Sequence, residues 1–313
     1  MKKYSLPQKS ITVSVDYYDE REKKKFADYP SAKRIVDVVN SSFEIPIEEF
    51  LTYYLFHRKR PGKEGYRNYE QLGGKIDKAL TELEDWIVFN QSSISVPKDV
   101  KPQLISITER VGESIGLSVI NRLHELTEAD WDKIPEHPGR SGISTFDYQV
   151  ASDGKNIVQL ETKGSCVSNN SLKENSISNH KKNIHEKKSK IQAKESYLYP
   201  ADVRYGTITV LDYKPKSIAK CWLVDPEPYL TETPPEKLRL INRMRFFRDW
   251  ISFISPRSQF ASALSTRVAD IEALSDPSEL DGVPLRKGNG EELTISPPST
   301  LWGTMGSSFY LNK

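Results

Sequence analysis

The chain has 313 residues, with 45 basic and 43 acidic side chains and a formal net charge of +2, so any attraction to a polyanion must be local. Cys166 and Cys221 are its only cysteines, which excludes a disulfide framework or thiolate zinc site and fits reduced thiols in a cytoplasmic protein. No apolar run approaches the length of a bilayer span, and no apolar segment follows Met1, Lys2 and Lys3, so neither a membrane span nor a secretory leader is expected.

Residues 1–98 read as a mostly helical region after one short strand at Ile11–Val15. Helical periodicity runs through Ile35, Val36, Val38 and Val39, through Phe50, Leu51, Tyr53 and Tyr54, and through Ile76, Leu80, Leu83 and Ile87. Residues 57–65 form a basic loop rich in glycine and proline, and 91–98 read as a linker. Gly73, Gly74 and Lys75 lack the earlier glycine and the following Ser/Thr of a phosphate-binding P-loop, so no nucleotide site is expected there.

A long helix is expected from Ile105 to His124, with Glu109 and Glu113 four apart on one face. Residues 144–165 then read as a β-hairpin with Asp147 on the first arm and Glu161, Thr162 and Lys163 on the second. Strand side chains alternate, so Glu161 and Lys163 share a face. A two-residue turn would oppose Asp147 to Leu160 and split the acids. A turn of odd length, Asp153 to Lys155, opposes Asp147 to Glu161 and gathers Phe146, Tyr148, Val150, Val158 and Leu160 on the other face. The apolar pattern and the acid cluster ask for the same register.

An acid on one strand and Glu161-Thr162-Lys163 on the next resembles the PD-(D/E)xK superfamily of restriction-endonuclease-like nucleases, over roughly residues 100 to 225. The match departs from the family pattern in having Phe146, not proline, before Asp147. The resemblance implies an α/β fold with a mixed central sheet flanked by helices, a nuclease core at 99–255, a helical N-terminal extension over 1–98, and a C-terminal helix with a small β tail at 256–313. It implies that Asp147, Glu161 and the Thr162 carbonyl bind Mg²⁺, for which Mn²⁺ substitutes, and that Lys163 orients the attacking water. Glu113, flanked by Gly112 and Gly116, is the first choice for a further acid and Glu109 the second. The implied activity is hydrolysis of DNA phosphodiesters, in a setting such as restriction or phage defence. Its partners would be DNA and either a second copy or a separate ATP-dependent helicase or translocase subunit. Two rivals stay open: a nuclease fold that binds DNA or protein without cutting, and a nuclease acting on RNA.

Beyond the hairpin, residues 173–195 read as a basic helix, with Lys181, Lys182, Lys187 and Lys188 as candidates for phosphate contact. His180 and His185 are five apart, off the same-face spacing, and are rejected as a metal pair. Gln192 and Tyr197 are one residue too far apart for an exonuclease motif. Two strands follow at 205–213 and 219–225, with Asp212 and Asp225 read as turn formers at their ends, and then an amphipathic helix at Leu238–Ile254. Its arginines (Arg239, Arg243, Arg245 and Arg248) face a phosphate, a partner or water. The tail from Leu285 to Asn312 reads as short β runs.

Overall fold

A computed structural model describes residues 9–56, 68–97, 105–132, 148–192, 201–224, 234–287 and 290–293. In chain order these form β1 (Ser10–Tyr17), α1 (Glu20–Phe26), α2 (Ala32–Val39), β2 (Phe43–Pro46), α3 (Ile47–Phe56), α4 (Tyr69–Trp86), β3 (Val88–Asn90) and β4 (Ser93–Ser95). After them come α5 (Ile105–His124), a 3₁₀ turn at Glu128–Asp130, β5 (Trp131–Asp132), β6 (Tyr148–Ser152), β7 (Ile157–Val167), α6 (Asn175–Gln192), β8 (Val203–Asp212) and β9 (Ala219–Val224). The described chain ends with α7 (Pro235–Ile254), α8 (Gln259–Ala273) and a 3₁₀ turn at Pro277–Gly282.

The fold is α/β: a seven-stranded mixed sheet in the order β2-β1-β9-β8-β7-β6-β5, flanked by helices. β7 runs parallel to β8 and β1 parallel to β9, while the remaining neighbours are antiparallel. Strand parity sorts the side chains. Val158, Leu160, Val203, Tyr205 and Leu223 face one side and join the large core with Val111, Ile115 and Leu123 of α5. Val167, Ile208, Val210, Trp222 and Val224 face the other and meet Ile177 and Ile184 of α6.

Residue 98 does not divide the sheet. The N-terminal region, expected to be a helical extension, supplies β1 and β2 to the central sheet, and its α2 and α3 pack into the same core as α5. The expected linker at 91–98 is in part β4, whose three residues are all buried. Short serines hide it in the sequence: Ser93 Oγ donates to Asn90 O at 2.7 Å, so a polar strand can sit inside. Backbone bonds from Thr12 N to Ser92 O and from Val96 N to Asp212 O tie this segment to β1 and β8.

α5 is buried on every side, between the sheet and α3, with all ten residues from Val111 to Ile120 buried. It lies on β7 at backbone distance. A methyl on Gly164 would meet Thr108 O at 1.9 Å, and one on Gly112 would meet Gly164 Cα at 2.8 Å. One turn later, a methyl on Gly116 would meet Thr207 Oγ1 at 2.4 Å.

The hairpin turn differs from expectation. Its loop has four residues, Asp153 to Asn156, closed by the Ser152–Ile157 pair. Asp153 Oδ1 accepts from Lys155 N at 2.8 Å and Asn156 N at 2.6 Å, which fixes the loop. Val150 therefore opposes Gln159, not Val158. A bulge between Tyr148 and Val150 then shifts the pairing by one, so that Tyr148 opposes Leu160. That is the pairing the acid cluster asks of these neighbours, reached by an even loop plus one extra residue.

Asp153 also anchors a buried polar chain. His124 Nδ1–H donates to its Oδ2 at 2.8 Å, His124 Nε2 bonds the Tyr205 hydroxyl at 2.7 Å, and that hydroxyl bonds Ser31 Oγ at 2.5 Å. The chain links the hairpin turn, α5, β8 and the start of α2. Burial works to raise the Asp153 carboxyl, but the bonds from His124, Asn156 and Lys155 outweigh it and hold it well below the usual carboxylate range.

α7 and α8 enclose their own apolar cluster, including Ile241, Met244, Leu264, Val268 and Ile271. The arginines of α7 point at acids. Buried Asp130 Oδ1 accepts from Arg239 Nε at 3.0 Å and Arg243 Nε at 2.6 Å. Arg245 reaches Asp132 at 3.0 Å, and Arg248 reaches Asp249 at 2.6 Å. α7 is thereby bolted to β5 and the preceding turn, and the expected boundary at 255/256 falls within a packed helix pair.

Two outcomes follow. Gly164→Ala drives a methyl into the Thr108 carbonyl and destabilises by about 1–3 kcal/mol or more in urea denaturation; unchanged stability would refute the close seating of α5. A carboxyl depressed by folding contributes stability above its unfolded pKa of about 3.9 and loses it as pH falls toward the folded value. Asp153→Asn should therefore flatten the acid limb of stability against pH, measured by denaturant titrations from neutrality downwards.

Candidate active site

β7 carries the second arm of the expected constellation, and its parity delivers Glu161 and Lys163 to the α6 face while Thr162 turns to α5. A methyl on Gly116 would touch Thr162 Cγ2 at 3.0 Å, which fixes that orientation. Glu161 is fully buried and its Oε1 lies 2.7 Å from Lys163 Nζ; the lysine side chain keeps 24% of its surface exposed. A buried carboxylate beside a partly exposed ammonium is a fixed charge pair with one end toward solvent.

Asp147, the first-arm acid, lies outside the described residues. Glu113 is buried on α5 and Glu109 is exposed one turn earlier, next to the Thr108 carbonyl that seats on Gly164. Glu109, the second choice from sequence, is the acid whose charge acts on the α6 side of the site, through His180.

His180 is the residue that sequence reasoning set aside. Burial holds its imidazole below the ordinary histidine value, the nearby Lys163 ammonium lowers it further, and the Glu109 carboxylate opposes both. The signal for it was present: Ile177, His180 and Ile184 follow i, i+3, i+7 spacing, and both isoleucines pack on the sheet. His185 faces Glu22, at 3.3 Å.

The basic helix is largely tied down where it is described. Lys181 Nζ lies 2.6 Å from Asp19 and 2.8 Å from buried Glu22, and its side chain is mostly buried, so it is committed to α1 and not presented to a phosphate. Lys182 is exposed and lies 3.6 Å from Glu186. The side chains of Lys187 and Lys188 lie outside the described residues. Among the described residues no group of three or more His, Cys, Asp or Glu is arranged to hold a metal ion.

A cleft of about 1090 Å³ opens on the opposite side of α5, between α2, β2 and α3. Asp37, Glu44, Glu49, Glu125 and Glu128 line it against only Arg34 and Arg122, so it repels a phosphate backbone. Compared with protein-family models, curated proteins and solved structures, the chain matches none.

The charges around His180 fix the signs of a titration. Its imidazole should titrate below about 6.5 by NMR, rise in Lys163→Met and fall further in Glu109→Gln. A value that ignores both substitutions would separate His180 from the site.

Proposed function

We propose that this chain is a metal-dependent nuclease with a restriction-endonuclease-like core, hydrolysing DNA phosphodiesters in restriction or defence against phage. One observation carries most of the reading: Glu161 and Lys163, the acid-x-lysine pair of the resemblance, form a 2.7 Å ion pair on the sheet face opposite the seated helix α5. The hairpin register at Tyr148–Leu160 agrees with it.

Asp147, Glu161 and the Thr162 carbonyl would hold magnesium; carboxylate and carbonyl oxygens are the donors that ion prefers. When bound, the ion supplies Lewis-acid polarisation of the phosphoryl oxygen. The protein's own groups position. Glu161 holds the Lys163 ammonium, and the ammonium orients a water and offsets charge developing on oxygen. Burial and the Lys163 ammonium hold the nearby His180 imidazole toward its neutral form. DNA is the proposed partner, with the chain acting as a homodimer or beside a separate translocase subunit.

The full burial of Glu161 favours a second reading, in which the ion pair is a structural strut and the protein holds a polynucleotide without cutting. Supercoiled plasmid incubated with the purified chain and Mg²⁺, Mn²⁺ or EDTA separates the two, with RNA as a parallel substrate. We expect metal-dependent nicking that falls on the order of 100-fold or more in both Glu161→Ala and Lys163→Ala. Nicking that survives in either variant, or plasmid left intact while binding persists, would replace the nuclease by the strut.

A further inference from the structure

We propose that the loops leaving the C-terminal ends of β7 and β8 form a track for a polynucleotide backbone, with Lys173, Lys214 and Lys216 as its phosphate contacts. The inference rests on the nucleic-acid reading above but not on cleavage.

Because β7 and β8 are parallel, both loops emerge at one end of the sheet. They are tied together. Asn170 Nδ2 donates to Ile218 O at 2.5 Å, Asn170 N to Asp212 Oδ2 at 3.3 Å, and Tyr213 N to Val167 O at 3.2 Å. Asp212 Oδ1 also accepts from Lys214 N at 2.9 Å, and Ser217 Oγ donates to Lys214 O at 2.8 Å. The second loop passes through a left-handed turn at Lys216, φ 66°, a conformation uncommon for residues other than glycine.

This end of the sheet carries lysines that no described acid pairs directly. Lys173, Lys214 and Lys216 are exposed, and none forms an ion pair with a described residue. Two carboxylates share this end and offset part of the lysines' charge: Glu174, which accepts from Ser168 N at 3.1 Å and Ser168 Oγ at 2.6 Å, and Asp212, buried in the loop tie. Lys173 Nζ stands 5.0 Å from the Trp222 ring centre and Lys220 Nζ 3.9 Å from the same centre, so the indole braces both ammoniums. Lys220 adds partial charge, since Asp16 lies 3.2 Å from it. The helix that sequence singled out spends its described lysines on α1 and on Glu186. The loops do not.

The placement suits a strand that also reaches Lys163. From Lys163 to Val167, β7 advances about 13 Å, which spans about four base pairs of duplex. Leu172 and Ile218 stand exposed among the lysines, at 59% and 46%, where sugars and base edges would cover them. Two isolated aliphatic side chains on turns are not the continuous apolar face of a membrane-surface helix, so a polynucleotide is favoured over an anionic bilayer.

The test is fluorescence anisotropy of labelled duplex and single-stranded DNA with the full chain in EDTA, across a salt series. The triple variant Lys173→Ala/Lys214→Ala/Lys216→Ala should lower the log–log salt slope by about 2–3 and weaken binding on the order of 100-fold, alike for unrelated sequences. The double variant Lys214→Ala/Lys216→Ala leaves the Trp222 contacts of Lys173 in place and should show about two thirds of the slope change; an unaltered melting curve keeps its result interpretable. Tight wild-type binding with an unchanged slope in both variants overturns the track and leaves the nuclease reading standing. Intact plasmid, with binding still lost in the triple variant, overturns the cutting and leaves the track. Lysine-dependent binding to vesicles containing phosphatidylserine, with none to DNA or RNA, overturns both.

Discussion

The contact on which the structure turns is the one between α5 and β7, made through glycine. Helices usually sit on sheets about 10 Å away, separated by side chains, but here Gly112 and Gly164 bring the two backbones together and Gly116 continues the approach over Thr207. Because the helix is so close, Thr162 can occupy the α5 face only by lying beside Gly116. The alternation of the strand then commits Glu161 and Lys163 to the other face. The ion pair's location is a consequence of this seating, and so is the place of Glu109 beside the Thr108–Gly164 contact.

A second organising feature is how the charge is distributed. A chain with nearly balanced charge can still be strongly polarised locally, and among the described residues Lys181 and the α7 arginines are committed to internal acids. Asp130 accepts from two α7 arginines and receives Thr127 N at 2.9 Å besides, so its buried carboxylate is saturated. Glu22, equally buried, takes both Lys181 and His185. Breaking such a pair from one side leaves a charge stranded away from water, at a cost of about 3–5 kcal/mol. These clamps hold α7 to β5 and α6 to α1, and they explain why a run of lysines or arginines in the sequence is a poor guide to the surface a polyanion would meet.

Legibility in the sequence followed the strength of local pattern. α5 was readable to the residue at both ends, Ile105 and His124, because its apolar positions recur on every side and no proline interrupts it, despite Gly112 and Gly116. β8 and β9 were readable because they concentrate β-branched, aromatic and apolar residues, as buried strands do. β2 and β4 were not, since four and three residues carry too little periodicity and the serines of β4 look like a loop. The hairpin was legible as a hairpin, but its loop was not: Asp153 can stop either a three- or a four-residue loop, and only the bulge near Tyr148 restores the register. Lys181 looked like a phosphate ligand because its partners, Asp19 and Glu22, are some 160 residues away in the chain. His180 was rejected as a metal partner of His185 on spacing, and its place near the Glu161–Lys163 pair was not legible locally. Its neighbours Lys163 and Glu109 come from two other elements.

The buried charge of Glu161 constrains what the pair can be. Taking a carboxylate out of water costs several kcal/mol, and the attraction to one ammonium at 2.7 Å offsets this only when further bonds satisfy the remaining oxygen lone pairs. A leucine or methionine of similar volume would sit in β7 at less expense in desolvation. Gln159, one pleat away, carries a neutral amide that accepts from Arg204 Nε at 3.1 Å, while Asp130 and Glu22 show that this fold also buries full carboxylates as clamps. A full negative charge, placed next to a lysine whose other end meets solvent, is the more costly arrangement, and it becomes reasonable when a cation or a phosphate shares the site with them. Burial alone is shared with those clamps, so the proposed chemistry rests on the acid-x-lysine spacing of Glu161 and Lys163 and on the hairpin register beside them.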